Sequence, residues 1–307
     1  MTDRPQKIIS LIGTLLMLVS FVFIVIRITQ YDIDFSALTS PLIVSALLIL
    51  SCIAGLGYFF AGIVYKSLLE ALSGNSLDRG LVVKVYCICN MYKYIPGGVM
   101  YAVGRNRLAF ETNRLNHSTV AVATVTEVIV YAAAGFVTAI FFSFEHFMSY
   151  IRQISVPTLF WGGLACLTIC TTLIVAAVFR QRDKGLFKNN LIGGLSPALM
   201  AKVLGAHILI LLLQTVTYPI TLIVMGQPID FATIINIIGL YALAWLIGFL
   251  TPGAPSGFGV REVVMLMFLG GVINEEVLLS SIVIHRAMGV IGDVFVCFVA
   301  IVYSKKY

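Results

Sequence analysis

The chain has 307 residues, 60% of them hydrophobic and 11% charged, with a formal net charge of +6. A soluble domain carries roughly 25% charged residues, and the mean hydropathy here is +1.01, so most of this chain faces hydrocarbon. That excludes a soluble enzyme and an extramembrane catalytic module, since no polar stretch is long enough to form one. It also excludes nucleic-acid binding, which needs a soluble basic face.

Between Lys7 and Arg27 lie 19 uncharged residues, close to the ~20 needed to cross a bilayer. No small-residue cleavage site follows, so this stretch is predicted to be the first span and to stay in the mature protein. Length and hydropathy predict six full spans in all: 8–26, 42–65, 119–144, 158–179, 203–225 and 277–303. Two more apolar stretches, 81–108 and 231–269, are broken by Pro96-Gly97-Gly98 and by Pro252-Gly253.

Cytoplasmic loops collect Lys and Arg. Arg4 and Lys7 place the N-terminus inside, and Asp32 and Asp34 mark an outer loop. Lys66, Arg79 and Lys84 precede the first broken stretch, and Arg105, Arg107 and Arg114 follow its break. Basic residues on both sides predict a hairpin that enters and leaves from the cytoplasm. Counting onward, Glu145 lies outside, Arg180 to Lys188 inside, and Gln227 and Asp230 outside. The last span then runs from Glu275 and Glu276 outside to Lys305 and Lys306 inside, so the second broken stretch is predicted to dip in from the outer face.

The expected fold is therefore an all-α integral membrane protein of about six full transmembrane helices plus two Pro-Gly re-entrant hairpins. The order span, span, hairpin, span occurs in 1–150 and again in 151–307. Three crossings per half turn the second copy upside down. Spacings agree: Arg105 follows Pro96 by nine residues and Arg261 follows Pro252 by nine, while Glu127 and Arg286 come 31 and 34 residues after the same prolines. Inverted repeats with broken helices at mid-membrane are a transporter architecture. A Pro-Gly turn leaves backbone amides unpaired, which hydrocarbon tolerates only where protein or a water-filled cavity covers them. Both tips are thus expected to line a hydrated cavity, their half-helix N-termini favouring an anion.

An ionised side chain at bilayer depth costs at least ~2.5 kcal/mol, so those retained pair or serve transport. The candidates are Lys93, Arg105, Glu127, Arg261, Glu262, Arg286 and Asp293. Glu127 and Arg286, at related places in the two halves, are expected to approach one centre, as a substrate-site pair or as a structural ion pair. Arg261 follows the glycine-rich turn, and its guanidinium fork matches phosphate oxygens; its alternative is a headgroup-level anchor, with Glu262 capping the half-helix. Arg105 belongs either to the site or to the cytoplasmic basic rim, and Lys93 either to the site or to a snorkelling position. Asp293 lies two helical turns beyond Arg286 on the same face. The six cysteines sit in apolar surroundings without a His cluster, which reads as packing rather than metal binding. Neither a metal site nor a cofactor is expected.

"YIPGGVMYAVGRNR" with "ATVTEVIVYAAAG", and "TPGAPSGFGVREVV" with "SSIVIHRAMG", resemble the lysylphosphatidylglycerol synthase/flippase membrane-region family. The resemblance covers nearly the whole chain and rests on short motifs. It falls on Pro96, Gly97 and Glu127, then on Pro252, Gly257, Gly259, Arg261, Glu262 and Arg286. Ser256-Gly257 stands where Gly-Gly is commoner, and Val128 where many relatives have Arg; the second departure leaves Glu127 without a neighbouring partner and points to a distant one such as Arg286. Larger members add an aminoacyl-transferase domain that this sequence lacks. The resemblance implies a flippase for an anionic or aminoacylated phospholipid or a related envelope lipid, in the plasma (inner) membrane with both termini cytoplasmic. The protein is not expected to be an enzyme; its expected partners are membrane phospholipids, with a second copy of the chain or a lipid-synthesising enzyme as candidate protein partners. The rival readings are an intramembrane lipid-phosphate enzyme of the polyprenyl-diphosphate phosphatase type and a non-transporting partner of an envelope-assembly enzyme.

Overall fold

The computed structural model of the protein describes residues 40–94, 100–108, 115–153, 194–251 and 254–305. These are helical, with no strand among them. Helix α1, Pro41–Ser73, starts with proline where a backbone N–H has no partner anyway. It stops at Gly74, φ 69°, whose N–H returns to the Glu70 carbonyl, a left-handed cap that glycine makes without steric cost. Helix α2, Arg79–Asn90, is capped by the Asp78 carboxylate and runs into a 3-10 turn, Met91–Tyr94. Short α3, Met100–Arg105, follows, then α4, His117–Gln153, kinked at Ser143.

After residues 154–193, which lie outside the described set, α5 covers Pro197–Val224. It begins earlier than the expected 203 because Ser196 accepts from the Leu199 N–H and Pro197 opens the first turn, a strong start signal. Helix α6, Phe231–Leu250, is capped by Asp230. A 3-10 turn at Pro255–Gly257 leads to α7, Val260–Leu269, and α8 covers Glu275–Ser304.

Five helices are long and apolar enough to cross a membrane: Pro41–Ser73, His117–Phe144, Pro197–Val224, Phe231–Leu250 and Glu275–Ser304. Four coincide with the expected spans 42–65, 119–144, 203–225 and 277–303; the expected spans 8–26 and 158–179 lie outside the described residues. The fifth differs from expectation. With 20 residues at 1.5 Å per residue, α6 is ~30 Å long, the thickness of the hydrocarbon layer. The second break therefore follows a helix of crossing length. In the first broken stretch α2 has 12 residues and α3 only 6, each too short to cross alone. The two broken stretches are thus unequal, although each folds back so that its helices pack together, α2 on α3 and α6 on α7.

The long helices exchange partners between the two parts of the chain. Helix α8 packs on α1 and α2, and α4 packs on α5 and α6. Glycine sets two of these approaches. A Cβ on Gly55 of α1 would lie 2.3 Å from the Gly292 carbonyl oxygen of α8, and one on Gly239 of α6 would lie 2.6 Å from the Ser143 nitrogen of α4. One buried core gathers around Tyr65, Leu69, Val83, Cys87, Ala123 and Val296, and a second around Tyr218, Leu240, Tyr241, Met265 and Leu278. Meanwhile Leu42, Phe141, Phe231 and Phe298 are 67–79% exposed; water does not favour so much bare apolar surface, and acyl chains do.

Candidate functional site

The 3-10 turn Met91–Tyr94 touches the 3-10 turn Pro255–Gly257, so the two interrupted stretches meet. Beside them lies a cavity of about 790 Å³, its open mouth included, lined by α1, α5, α6, α7, α8 and both turns. The tip residues Pro96, Gly97 and Gly98, and Pro252 and Gly253, lie outside the described residues.

The second turn is shaped by left-handed backbone. Ser256, Gly257 and Gly259 have φ of 53°, 66° and 83°, a region costly for side-chain-bearing residues. A Cβ on Gly257 would meet the Gly248 Cα at 2.8 Å, so the turn lies directly against the backbone of α6. This aims the Ser256 carbonyl at Arg286, whose Nη1 donates to it at 3.2 Å. The Arg286 Nε donates to Glu262 in the first turn of α7, and the guanidinium stands 5.4 Å from the Phe258 ring centroid. Arg261 makes no ion pair among the described residues; its Nη1 donates to the Tyr241 hydroxyl at 3.3 Å. Arg261, Glu262 and Arg286 all line the cavity. Four atoms of lining side chains are closed off from solvent and have no hydrogen-bond partner among the described residues: Arg261 Nε, Arg286 Nη2, Gln214 Nε2 and Glu262 Oε2.

At another part of the wall, Lys93 from the first turn pairs with Asp293 of α8 at 2.8 Å. Lys93 also donates to the Tyr58 hydroxyl at 3.2 Å and sits 4.2 Å from that ring's centroid. Asp293 further accepts from Asn90 Nδ2 at 3.0 Å and from the Tyr94 hydroxyl, so its carboxylate is fully engaged. Lys93 is therefore a cavity residue, held by an ion pair between the first broken stretch and α8. Part of the remaining wall is aromatic: Tyr218 and Tyr241 stack at 5.1 Å, and Trp245 lies one turn along α6 from Tyr241.

Arg105 and Glu127 are elsewhere. They form a buried ion pair with side chains 4% and 3% exposed. The Tyr86 hydroxyl donates to Glu127 at 2.7 Å, and Arg105 lies over the rings of Tyr86 and Tyr65 at 4.2 and 4.8 Å. His207 completes this second centre, its Nε2 3.7 Å from Glu127. The expectation that Glu127 and Arg286 approach one centre is corrected: each long-helix charge pairs within its own part of the chain, Glu127 with Arg105 and Arg286 with Glu262. The placement is the same with the signs exchanged. Arg105 is likewise not part of an exposed rim, because it ends α3 facing α2 and α4 and is 3% exposed.

Of the sequence-derived candidates, Lys93, Arg261, Glu262 and Arg286 come together at the cavity, and Arg105 and Glu127 do not. Asp293 joins them on the face shared with Arg286, as the seven-residue spacing indicates. Tyr58, Gln214, Tyr218, Tyr241, Trp245 and His285 also line the cavity and were not singled out. A signal existed: Gln214, Thr217, Tyr218 and Thr221 recur at helical spacing through an otherwise apolar α5. Among the described residues no three His, Cys, Asp or Glu side chains gather at metal-binding range. No protein-family model matches the chain, and no curated protein matches it.

Proposed function

We propose that this protein is a lipid flippase that moves an anionic or aminoacylated phospholipid, or a related envelope lipid, between leaflets by alternating access. The observation that carries the reading is Arg261: a guanidinium without an ion pair among the described residues, beside Arg286, in a cavity walled by helices of membrane length. Arg261 is half-buried and the neighbouring Glu262 is held by Arg286, so an arriving phosphate meets a donor fork suited to it. The acyl chains stay in the bilayer while the headgroup occupies the cavity. The meeting of the two broken stretches and the exchanged packing of α1, α4, α5 and α8 support an inverted-repeat transporter, in which rocking of one half against the other exposes the site alternately. The family resemblance of the two turn motifs points the same way. The charge pattern supports a plasma-membrane protein with both termini cytoplasmic.

The test is leaflet exchange in phosphatidylcholine vesicles carrying phosphatidylglycerol labelled on an acyl chain. Purified protein is expected to accelerate exchange, and Arg261→Ala to abolish the acceleration while the protein stays folded. Folded wild type that moves no anionic or aminoacylated lipid overturns the reading. Phosphate release from polyprenyl diphosphate by the same preparation would instead favour the enzyme.

A further inference from the structure

The charge and hydrogen-bond inventory of the cavity narrows the class of lipid headgroup. Lys93, Arg261 and Arg286 line it against Glu262 and Asp293. Three cations and two carboxylates leave one net positive charge among the described residues. Lys93 is matched by Asp293 and Arg286 by Glu262, so the surplus rests on Arg261.

His285 adds nothing to that count, as its hydrogen bonds show. Arg261 donates to the Tyr241 oxygen, which leaves the Tyr241 hydroxyl hydrogen available for His285 Nδ1, 3.2 Å away. Nδ1 is then an acceptor and the ring is neutral. His285 Nε2 faces Thr217 Oγ1 at 3.0 Å, and the Thr217 hydroxyl donates onward to the Gln214 carbonyl at 2.6 Å, so Nε2 carries the hydrogen. The neutral tautomer satisfies every member of the chain, and a second ring proton would face a hydroxyl hydrogen.

A single surplus charge matches a phosphodiester, which carries one negative charge, better than a phosphomonoester or diphosphate, which carries more. The atoms without partners say what else the headgroup holds. Arg261 Nε and Arg286 Nη2 are donors suited to phosphate oxygens, whereas Glu262 Oε2 is an acceptor and needs a donor. Glu262 is 4% exposed. A phosphodiester has no hydrogen to give, so the donor must come from the group esterified to it. An ammonium would bring a second positive charge beside Arg261 and Arg286; a hydroxyl donates without one. A hydroxyl oxygen also accepts from Gln214 Nε2, the remaining donor without a partner. Those atoms are closed off from solvent in this structure, so binding requires the lining side chains to part as the headgroup enters.

We infer that the ligand is a lipid whose headgroup is a singly charged phosphodiester bearing a neutral polyol, such as glycerol or a sugar alcohol, in preference to ammonium-bearing headgroups and to phosphomonoesters. The inference rests on the flippase reading of the cavity and selects between the anionic and aminoacylated substrates that reading allows.

The test offers purified protein an equimolar mixture of phosphatidylglycerol, phosphatidate, phosphatidylethanolamine and lysylphosphatidylglycerol in nanodiscs, and measures co-purifying lipid by mass spectrometry. Phosphatidylglycerol is expected to be enriched over the others by about tenfold, the effect of one charge-assisted contact. Arg261→Ala should remove the enrichment and Arg261→Lys, which keeps the charge, should retain part of it. Glu262→Gln adds one positive charge while keeping an acceptor for Arg286, and should shift the preference towards phosphatidate. Equal or stronger retention of lysylphosphatidylglycerol or phosphatidate by wild type, or a preference unmoved by Glu262→Gln, overturns the inference. Leaflet exchange of the same lipids separates the two ideas. Selective retention without movement leaves the headgroup assignment standing and sinks the transport reading, whereas movement without selectivity does the reverse.

Discussion

Arg105 and Arg261 occupy related places after the two prolines, yet their surroundings assign them opposite duties. Arg105 has a carboxylate and three aromatic rings around it, whereas Arg261 has one tyrosine and a cavity. Removing one partner of a buried ion pair leaves the other charge uncompensated, at a cost of about 3–5 kcal/mol. Arg105→Ala is therefore expected to lower the unfolding free energy in detergent by about that amount, and Arg105→Leu combined with Glu127→Leu to recover most of it, since both charges are then gone. A loss below ~1 kcal/mol for the single variant would show that the pair is not insulated from water. Arg261→Ala removes no ion partner and should leave unfolding nearly unchanged while cutting leaflet exchange at least ~tenfold. A large stability loss there would return Arg261 to a structural role.

At the level of single elements, the turn between α6 and α7 holds three of the five left-handed residues among those described, Ser256, Gly257 and Gly259. Gly257 and Gly74 have nearly the same left-handed φ, 66° and 69°, but different neighbours. A Cβ on Gly74 would meet nothing within 4 Å, while one on Gly257 would lie 2.8 Å from the Gly248 Cα. Gly74→Ala should thus cost only the conformational penalty of ~1–2 kcal/mol, and Gly257→Ala clearly more. The excess, read from thermal unfolding of the two variants, measures how tightly the turn lies on α6; equal costs would mean the turn yields freely. Because the Ser256 carbonyl holds Arg286, Gly257→Ala should also weaken lipid retention, which Gly74→Ala should not. Helix α5 positions the other side of the site through Gln214, Thr217, Tyr218 and Thr221, whose spacing puts all four on one face.

For the molecule as a whole, an exposed apolar exterior surrounds buried apolar cores and a cavity with charged side chains in its wall. Lys93 and Asp293 tie the first broken stretch to α8, and Gly55 and Gly292 let α8 lie against α1, so the cavity lies where contributions from both parts of the chain converge. In a background with the native cysteines replaced, Ser256→Cys, at the cavity, is expected to react with a water-soluble maleimide in intact vesicles. Leu48→Cys, on the 46% exposed apolar face of α1, is expected to stay unlabelled. Labelling of the second and not the first would place water on the wrong side of the structure.

Composition and periodicity by themselves determined that this chain has the helices of a membrane protein, where four of them run, where the chain is broken and which ionisable residues fall within its apolar stretches. Those properties are local, since an apolar run, a Pro-Gly pair or a buried charge announces itself within one or two helical turns. The crossing length of α6 was legible too, in the uncharged run that precedes Pro252. Only the tertiary structure decided which charges meet. Spacing along a helix sets which residues share a face, but not how that helix is rotated or how deep it sits against its neighbours. So Asp293 could be placed beside Arg286, while the pairing of Glu127 with Arg105 and of Arg286 with Glu262, and the isolation of Arg261, depended on α3, α4, α7 and α8 being packed together.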